Sequence, residues 1–221
     1  MTHTSSPVIG IIGGTGDLGS GLARAWAKAG YAVIIGSRTA DKAQAVAAEL
    51  GEGVTGRDNL GAAEGADVVV LAVPFANHNS TLSEIREAVQ GKILVDAAVP
   101  LVPPKVSRVQ LPAEGSAAQI AQDLLGEGVK VVSAFHNVGA AKLHKGGRAD
   151  CDVLVFSDDK DARNLVIKLA GAVANRGVGG GVLANSAAAE ALTSVLIWIN
   201  RNYKVLGAGI AITGLDDAAQ A

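Results

Sequence analysis

Three glycines near the amino terminus have the spacing of a loop that can bind a phosphate group. Gly14, Gly16 and Gly19 lie between a short apolar run, "PVIGII", and a segment with helical periodicity. At such a junction the first glycine permits a tight turn, the second lets backbone approach a pyrophosphate, and the third lets helix and strand pack closely. The helix amides and dipole then face the phosphate charge. The spacing predicts a dinucleotide site, with a purely structural turn as the alternative.

The residues between these glycines belong to the same predicted cofactor site. Thr15 offers a hydroxyl that could bind phosphate or simply cap the helix. Asp17 would repel a pyrophosphate if it pointed inward, whereas an outward carboxylate would favour the positive end of the helix. Leu18 completes the predicted site as the first apolar residue of the helix.

The end of the second predicted strand, "YAVIIGS", indicates which dinucleotide binds. Sites that prefer NAD usually carry Asp or Glu there, where the carboxylate binds the ribose hydroxyls. This chain instead has Ser37 and Arg38, with Lys42 one helical turn further on. A 2′-phosphate needs donors and cations, and arginine offers a planar fork of donors. We therefore expect NADP rather than NAD. The alternative is a solvated surface pair beside Asp41.

Strand-length apolar runs alternate with helical segments through the first two-thirds of the chain. The run "ADVVVLAVP" is apolar at consecutive positions, which is typical of a parallel strand buried on both faces. The predicted class is α/β, a Rossmann-like doubly wound parallel sheet with a small C-terminal α/β lobe. The predicted boundary separates a dinucleotide-binding domain, residues 1–140, from a small domain, residues 141–221. The other predicted elements are helices at 17–30, 39–51, 79–89, 116–126, 160–174 and 186–203 and strands at 7–12, 31–37, 92–98, 129–135 and 151–159.

Two later segments could border a ligand or a partner. Residues 99–112 hold four of the six prolines and lack helical periodicity, which predicts a loop. The loop follows the carboxyl end of a strand, where ligands of open α/β sheets bind, so Pro100 is a candidate contact, with a rigid connector as the alternative. The last helix, 186–203, is apolar almost all round, so we expect it in the core or against a second subunit.

Composition narrows the class of protein. The 221 residues are 49% hydrophobic and 18% charged with a net charge of -2, which favours a compact fold and gives no basic patch for nucleic acid. The apolar runs are too short to span a bilayer, and "MTHTSSP" does not resemble a signal peptide, so we expect a cytoplasmic protein. The four histidines lack metal-ligand spacing, so no metal is expected. Cys151 is expected to be a small buried hydrophobe rather than a catalytic thiol.

Several blocks of the chain resemble, in order, one known family, the NADPH-dependent reductases of the deazaflavin coenzyme F-420. The resemblance implies hydride exchange between NADP(H) and the deazaflavin, in a homodimer with a Rossmann-like fold and a small C-terminal domain. It also implies that Thr15, Ser37, Arg38 and Lys42 hold the 2′-phosphate. The blocks that carry it are "GGTGDLGSGLA", "IIGSRTADKA", "AVPF", "VPLVPP", "EGSAAQIAQDLL", "VVSAFHNVGAAKL" and "LANSAAAEALTSVLI".

The resemblance also places residues beside the two rings between which the hydride moves. An aromatic turn near the nicotinamide corresponds to Val73, Pro74 and Phe75, and a segment at the deazaflavin corresponds to His136, Asn137 and Val138. Archaeal members read His-Thr-Ile-Pro at the latter segment, whereas this chain continues into Gly139, so we expect a less rigid pocket wall.

Hydride transfer between stacked rings depends mainly on orientation and exclusion of water, so no acid or base is predicted. His136 is the candidate for orienting the deazaflavin or stabilising charge on it, with a structural role as the alternative. Two other functions stay open. One is an NADP-dependent reductase of imine or keto substrates, for which the last helix offers Glu190 and Asn185 as polar groups. The other is an NADPH-binding redox sensor without turnover.

Overall fold

Eight strands form one sheet with helices on both faces in the computed structural model, which describes residues 6–144 and 148–215. The strands are β1 (Ile9–Ile12), β2 (Val33–Ser37), β3 (Val54–Asp58), β4 (Val68–Leu71), β5 (Ile93–Asp96), β6 (Lys130–Ser133), β7 (Ala149–Phe156) and β8 (Ala174–Gly181). The helices are α1 (Asp17–Lys28), α2 (Ala40–Leu50), α3 (Asn59–Glu64), α4 (His78–Ile85), α5 (Ala117–Leu125), α6 (Ala140–His144), α7 (Lys160–Val173) and α8 (Ser186–Tyr203).

The strand order β3-β2-β1-β4-β5-β6-β7-β8 creates a switch point between β1 and β4. β1, β2 and β3 follow one another toward one edge of the sheet, and β4 to β8 follow one another toward the other edge. All pairs from β3 to β6 are parallel, so the carboxyl ends of these strands lie at one edge of the sheet. Ligands of open α/β sheets bind at such a switch point. The predicted Rossmann-like class is confirmed.

Two apolar clusters, one on each face, hold the sheet between its helices. Every residue of β1 and β4 is buried, as expected for parallel strands covered on both sides. Trp26 of α1 lies in the centre of one cluster, where its indole N–H donates to the Leu169 carbonyl at 2.9 Å and its ring meets Phe135 edge-on. This cluster fixes α1, and with it the glycine loop, against β6 and α7.

Two strands and two α-helices of the described chain lie where the sequence predicted none. β3 and α3 fill residues 54–64, α6 lies at Ala140–His144, and β8 runs through the glycine-rich segment. Glycine is required in both strands because a Cβ at Gly56 would collide with the backbone of α2, and one at Gly180 with the Phe156 ring. The fourth helix ends at Ile85, earlier than the predicted residue 89.

The C-terminal strands continue the sheet of the first six. β7 joins β6 in antiparallel fashion through Ser133 and Phe156, and β8 pairs parallel to β7. The proposed boundary after residue 140 therefore lies between strands of one sheet, and the division into two domains stays a prediction.

Candidate functional site

The glycine loop connects the end of β1 to the start of α1. Gly13 has a φ of +76°, so the left-handed residue of the loop is the glycine that precedes Gly14. A Cβ on Gly14 would lie 2.8 Å from the Ile11 carbonyl oxygen, and one on Gly19 would lie 2.7 Å from the Gly14 Cα. These two glycines therefore let helix and strand pack closely.

Gly16 differs from its neighbours because its α-carbon faces space. A Cβ built there meets only the Gly13 carbonyl oxygen, at 3.4 Å, and its φ of -81° suits any residue. Gly16 is the N-cap of α1 and supplies no side-chain cap, so Thr15 does not cap the helix and the first-turn amides lack that partner. The Asp17 side chain is 96% exposed, 3.9 Å from His144, which settles its direction as outward. The open backbone at Gly16 and the outward Asp17 carboxylate leave room for a pyrophosphate at the start of α1.

The end of β2 lies directly beside the glycine loop. The Gly14 amide donates to the Gly36 carbonyl at 3.0 Å, one residue before Ser37. Ser37 is buried, whereas the side chains of Arg38 and Lys42 are exposed and make no hydrogen bond or ion pair with other residues of the described chain, Asp41 included. Their cationic groups are thus available to a ligand phosphate at this edge.

The turn after β4 contacts the glycine loop from the other side. A Cβ on Gly13 would lie 2.7 Å from both the Ala72 carbonyl oxygen and the Val73 side chain. Pro74 is exposed and precedes a short 3-10 turn, Phe75–Asn77, that leads into α4. The structure therefore brings the predicted phosphate loop and the predicted nicotinamide turn together at the switch point.

Pro100 is buried in the loop that follows β5, and His136 is buried after β6. Phe135, immediately before His136, has a φ of +70°, a strained conformation for a bulky residue that occurs mostly at functional sites. The His136 Nε2 lies 3.3 Å from the Ser133 hydroxyl. Burial lowers the pKa of His136 to about 4, so the ring is neutral at neutral pH and supplies no positive charge.

Comparison with known proteins identifies the family. Residues 8–100 match the family described as NADP oxidoreductase, coenzyme F-420-dependent. An F-420-dependent NADP reductase of Methanocaldococcus jannaschii is 40% identical over 94% of this chain and 99% of its own length. An F-420-dependent NADP reductase of Methanothermobacter thermautotrophicus is 42% identical to this chain, and the match covers 95% of this chain and 96% of the relative. The chain belongs to this family.

A solved structure agrees with this assignment to the F-420-dependent NADP reductases. It is a protein from Arthrobacter sp. FB24 whose name assigns it to the same family, with a TM-score of 0.78 and 26% identity. The match covers 96% of this chain and 100% of the other, so it includes β7, β8 and α8 as well as the first six strands. No helix among the described residues is long and apolar enough to cross a membrane.

The segment that departs from the archaeal pattern of the family is packed against α8. Asn137 donates to the Ala189 carbonyl at 3.0 Å and to the Thr193 hydroxyl at 3.1 Å. Thr193 in turn donates to the His136 carbonyl at 3.0 Å. A Cβ on Gly139 would lie 2.8 Å from the Gly207 Cα, so glycine allows the chain after α8 to approach. The Asn137 side chain is therefore directed toward α8, and Val138 packs against the core.

Glu190, on the buried face of α8, caps another helix. Its carboxylate accepts from the Ala117 amide at 2.7 Å and from the Ala118 amide at 3.3 Å, at the start of α5. It is 1% exposed, and burial raises its pKa to about 7. A carboxylate bound to two backbone amides is not free to act on a substrate. This removes the main polar group that an imine or keto reductase would have used on α8.

One polar pair at the same edge of the sheet is not apparent from the sequence alone. His78, at the start of α4, lies 2.7 Å from Asp96, the last residue of β5, and both side chains are fully buried. The signal available in the sequence was an acidic residue that ends an apolar strand, "KILVDAA". No group of three or more His, Cys, Asp or Glu side chains in the described chain could hold a metal ion.

Proposed function

We propose that this protein transfers a hydride between NADP(H) and the deazaflavin coenzyme F-420. The observation that carries the proposal is the identity of about 40% to F-420-dependent NADP reductases over nearly the whole of both chains. The geometry of the switch point supports it, because an open glycine backbone adjoins a strand end that carries cations instead of an acid. The expected cytoplasmic location stays a prediction.

The adenosine end of the nucleotide is proposed to bind at β1 and β2. Backbone amides at the start of α1, from Asp17 to Gly19, are proposed to face the pyrophosphate, because the Gly14 and Gly16 amides already donate to carbonyls of the protein. Ser37, Arg38 and Lys42, with the neighbouring Thr15 hydroxyl, surround the 2′-phosphate. The end of β2 carries cations where an NAD site carries an acid, which favours NADPH over NADH.

The reacting rings are proposed to lie over the carboxyl ends of β4, β5 and β6. NADPH, when bound, supplies the hydride. Val73, Pro74 and Phe75 form one wall of the site, and Pro100 and the segment from His136 to Val138 form the other. These groups orient the rings and exclude water, and the neutral His136 ring can act only as a hydrogen-bonding group.

A spectrophotometric assay tests the reaction. Purified protein mixed with NADPH and oxidised coenzyme F-420 is expected to bleach the deazaflavin band, and NADH is expected to bleach it much more slowly. If NADPH binds but no hydride reaches the deazaflavin, the proposed reaction is wrong. The protein would then be screened on imine and keto acceptors and, failing turnover, treated as a redox sensor.

We also propose that the protein forms a homodimer through α8. The buried face of α8 carries three polar residues, Ser186, Glu190 and Ser194, beside two apolar ones. The outward face exposes large apolar side chains, of which Trp198 is 51% exposed. Polar groups that face inward and large apolar side chains that face outward are the reverse of the pattern of a surface helix in a monomer. The helix is therefore not central to the core of one chain, and a second copy is the proposed cover for its apolar face.

Replacing Trp198 with glutamate is expected to dissociate the dimer, since the charge would be buried without a partner at the proposed interface. Sedimentation velocity should then shift from the mass of two chains to that of one. Leu60→Glu is the matched control, because Leu60 is 41% exposed on α3 at the other end of the sheet. An unchanged mass for Trp198→Glu, or an equal change for both variants, would exclude α8 as the interface.

A further inference from the structure

We propose that the buried pair His78 and Asp96 is a clamp that positions both walls of the nicotinamide site, so that these are positioning residues for hydride transfer. The inference rests on the proposed function for its effect on catalysis. Its structural part concerns only how two loops of this chain are held, and that part can be measured without any substrate.

Each oxygen of the Asp96 carboxylate holds a different loop. Oδ2 lies 2.7 Å from His78 Nε2, three residues after Phe75 in the turn that follows β4. Oδ1 accepts from the Ala98 amide at 2.9 Å, in the loop that leads from β5 to Pro100. One side chain at the end of β5 therefore fixes the start of α4 and the first residues of the proline-rich loop.

The His78 ring lies against Phe75 in the proposed nicotinamide wall, so the bond that holds His78 also holds this wall. Its ring centroid lies 5.8 Å from that of Phe75, with the planes inclined by 33°. The Nδ1 atom lies 3.0 Å from Asn79 Oδ1, so both ring nitrogens face oxygen atoms. A carboxylate oxygen only accepts hydrogen bonds, so Nε2 carries the hydrogen that is donated to Asp96, and the role of Nδ1 follows the orientation of the Asn79 amide.

The electrostatic surroundings agree with a charged pair. Burial lowers the pKa of His78, but the hydrogen bond and charge of Asp96 outweigh this, and the net pKa is raised. The other titratable groups that face the pair are Glu190 on α8 and His136 after β6. A buried ion pair contributes little net stability compared with an apolar pair of the same volume. The pair can instead act by fixing one arrangement of the two loops, and this role does not depend on added stability.

The test compares Asp96→Asn and His78→Gln with Lys130→Met. The control breaks a partly exposed ion pair between Lys130 and Asp159, at the amino end of β6. Without substrate, amide hydrogen exchange over residues 73–78 and 97–101 is expected to quicken about tenfold in the first two variants, with no change in the glycine loop or in the control. Unchanged exchange in both segments would overturn the clamp, whatever the reaction of the enzyme.

The kinetic readout separates positioning from general destabilisation. With NADPH and coenzyme F-420, kcat is expected to fall about 10- to 100-fold in Asp96→Asn, because small misplacements of reacting groups are costly. The NADPH dissociation constant should stay within about threefold of wild type, since the phosphates bind at β1 and β2. His78→Gln, which keeps a donor toward Asp96, should lose less. An equal loss of affinity and kcat would contradict a positioning role. Activity absent from the wild type as well would refute the proposed function but not the exchange result.

Discussion

Replacing Gly16 with alanine is expected to weaken NADPH binding by about 100-fold while leaving the fold intact. The added Cβ has room within the protein, since the nearest atom is the Gly13 carbonyl oxygen at 3.4 Å. In the proposed complex it would occupy the space through which the pyrophosphate reaches the amides of α1. Loss of two charge-assisted hydrogen bonds, at about 1.5 kcal/mol each, the low end of their usual range, gives an effect of this size.

Gly19→Ala is the matched comparison, because it adds the same methyl group to the same loop at a position enclosed by protein. Its Cβ would lie 2.7 Å from the Gly14 Cα, and relief of that overlap is expected to cost about 1–3 kcal/mol of unfolding free energy. Gly16→Ala should cost about 1 kcal/mol or less, the difference between the two residues at an N-cap. Urea unfolding gives the stabilities, and NADPH fluorescence titration gives the affinities. A Gly16→Ala protein that binds NADPH like wild type would show that the pyrophosphate does not lie on this loop.

These glycines illustrate what the sequence could predict. The spacing located the loop because each constraint on it is local: a strand, a turn and a helix that follow one another in the chain. The role of each glycine was less accessible. Gly13 carries the left-handed turn, and its close contact is with Val73, sixty residues away, so only the folded sheet identifies it.

Glycine also explains the elements that were missed. β3 and β8 contain glycines where another element lies too close for a side chain, and locally such segments are indistinguishable from loops. The polar inward face of α8 was missed for a related reason. Ser186, Glu190 and Ser194 recur four residues apart, but the apolar residues between them dominate the composition of the helix. Which face turns inward depends on partners elsewhere in the chain, such as the start of α5.

The His78 and Asp96 pair marks a third limit of the sequence. The two residues are eighteen positions apart and belong to different strand–helix connections. Only the parallel register of β4 with β5, which aligns Leu71 with Asp96, brings those connections together. The sequence therefore predicts the parts of the candidate site that are formed at the end of a single strand. It does not predict contacts between residues that follow two different strands.

The cations at the end of β2 provide the second large expected effect. Arg38→Ala combined with Lys42→Ala is expected to raise KM for NADPH about 100-fold and to leave KM for NADH nearly unchanged. Each residue would lose a charged contact with the 2′-phosphate, at about 1.5 kcal/mol or more, and NADH has no such phosphate. Neither side chain bonds to another residue of the described chain, so stability should change little.

Steady-state kinetics with both nucleotides measures the discrimination directly, as the ratio of the two kcat/KM values. Arg86→Ala is the control for removing an exposed cation, because Arg86 lies at the end of α4. The preference for NADPH should also weaken with rising salt in the wild type and lose that dependence in the double variant, since screening acts on exposed charges. A double variant that loses NADPH and NADH activity equally would mean that Arg38 and Lys42 contact a part of the nucleotide that both cofactors share.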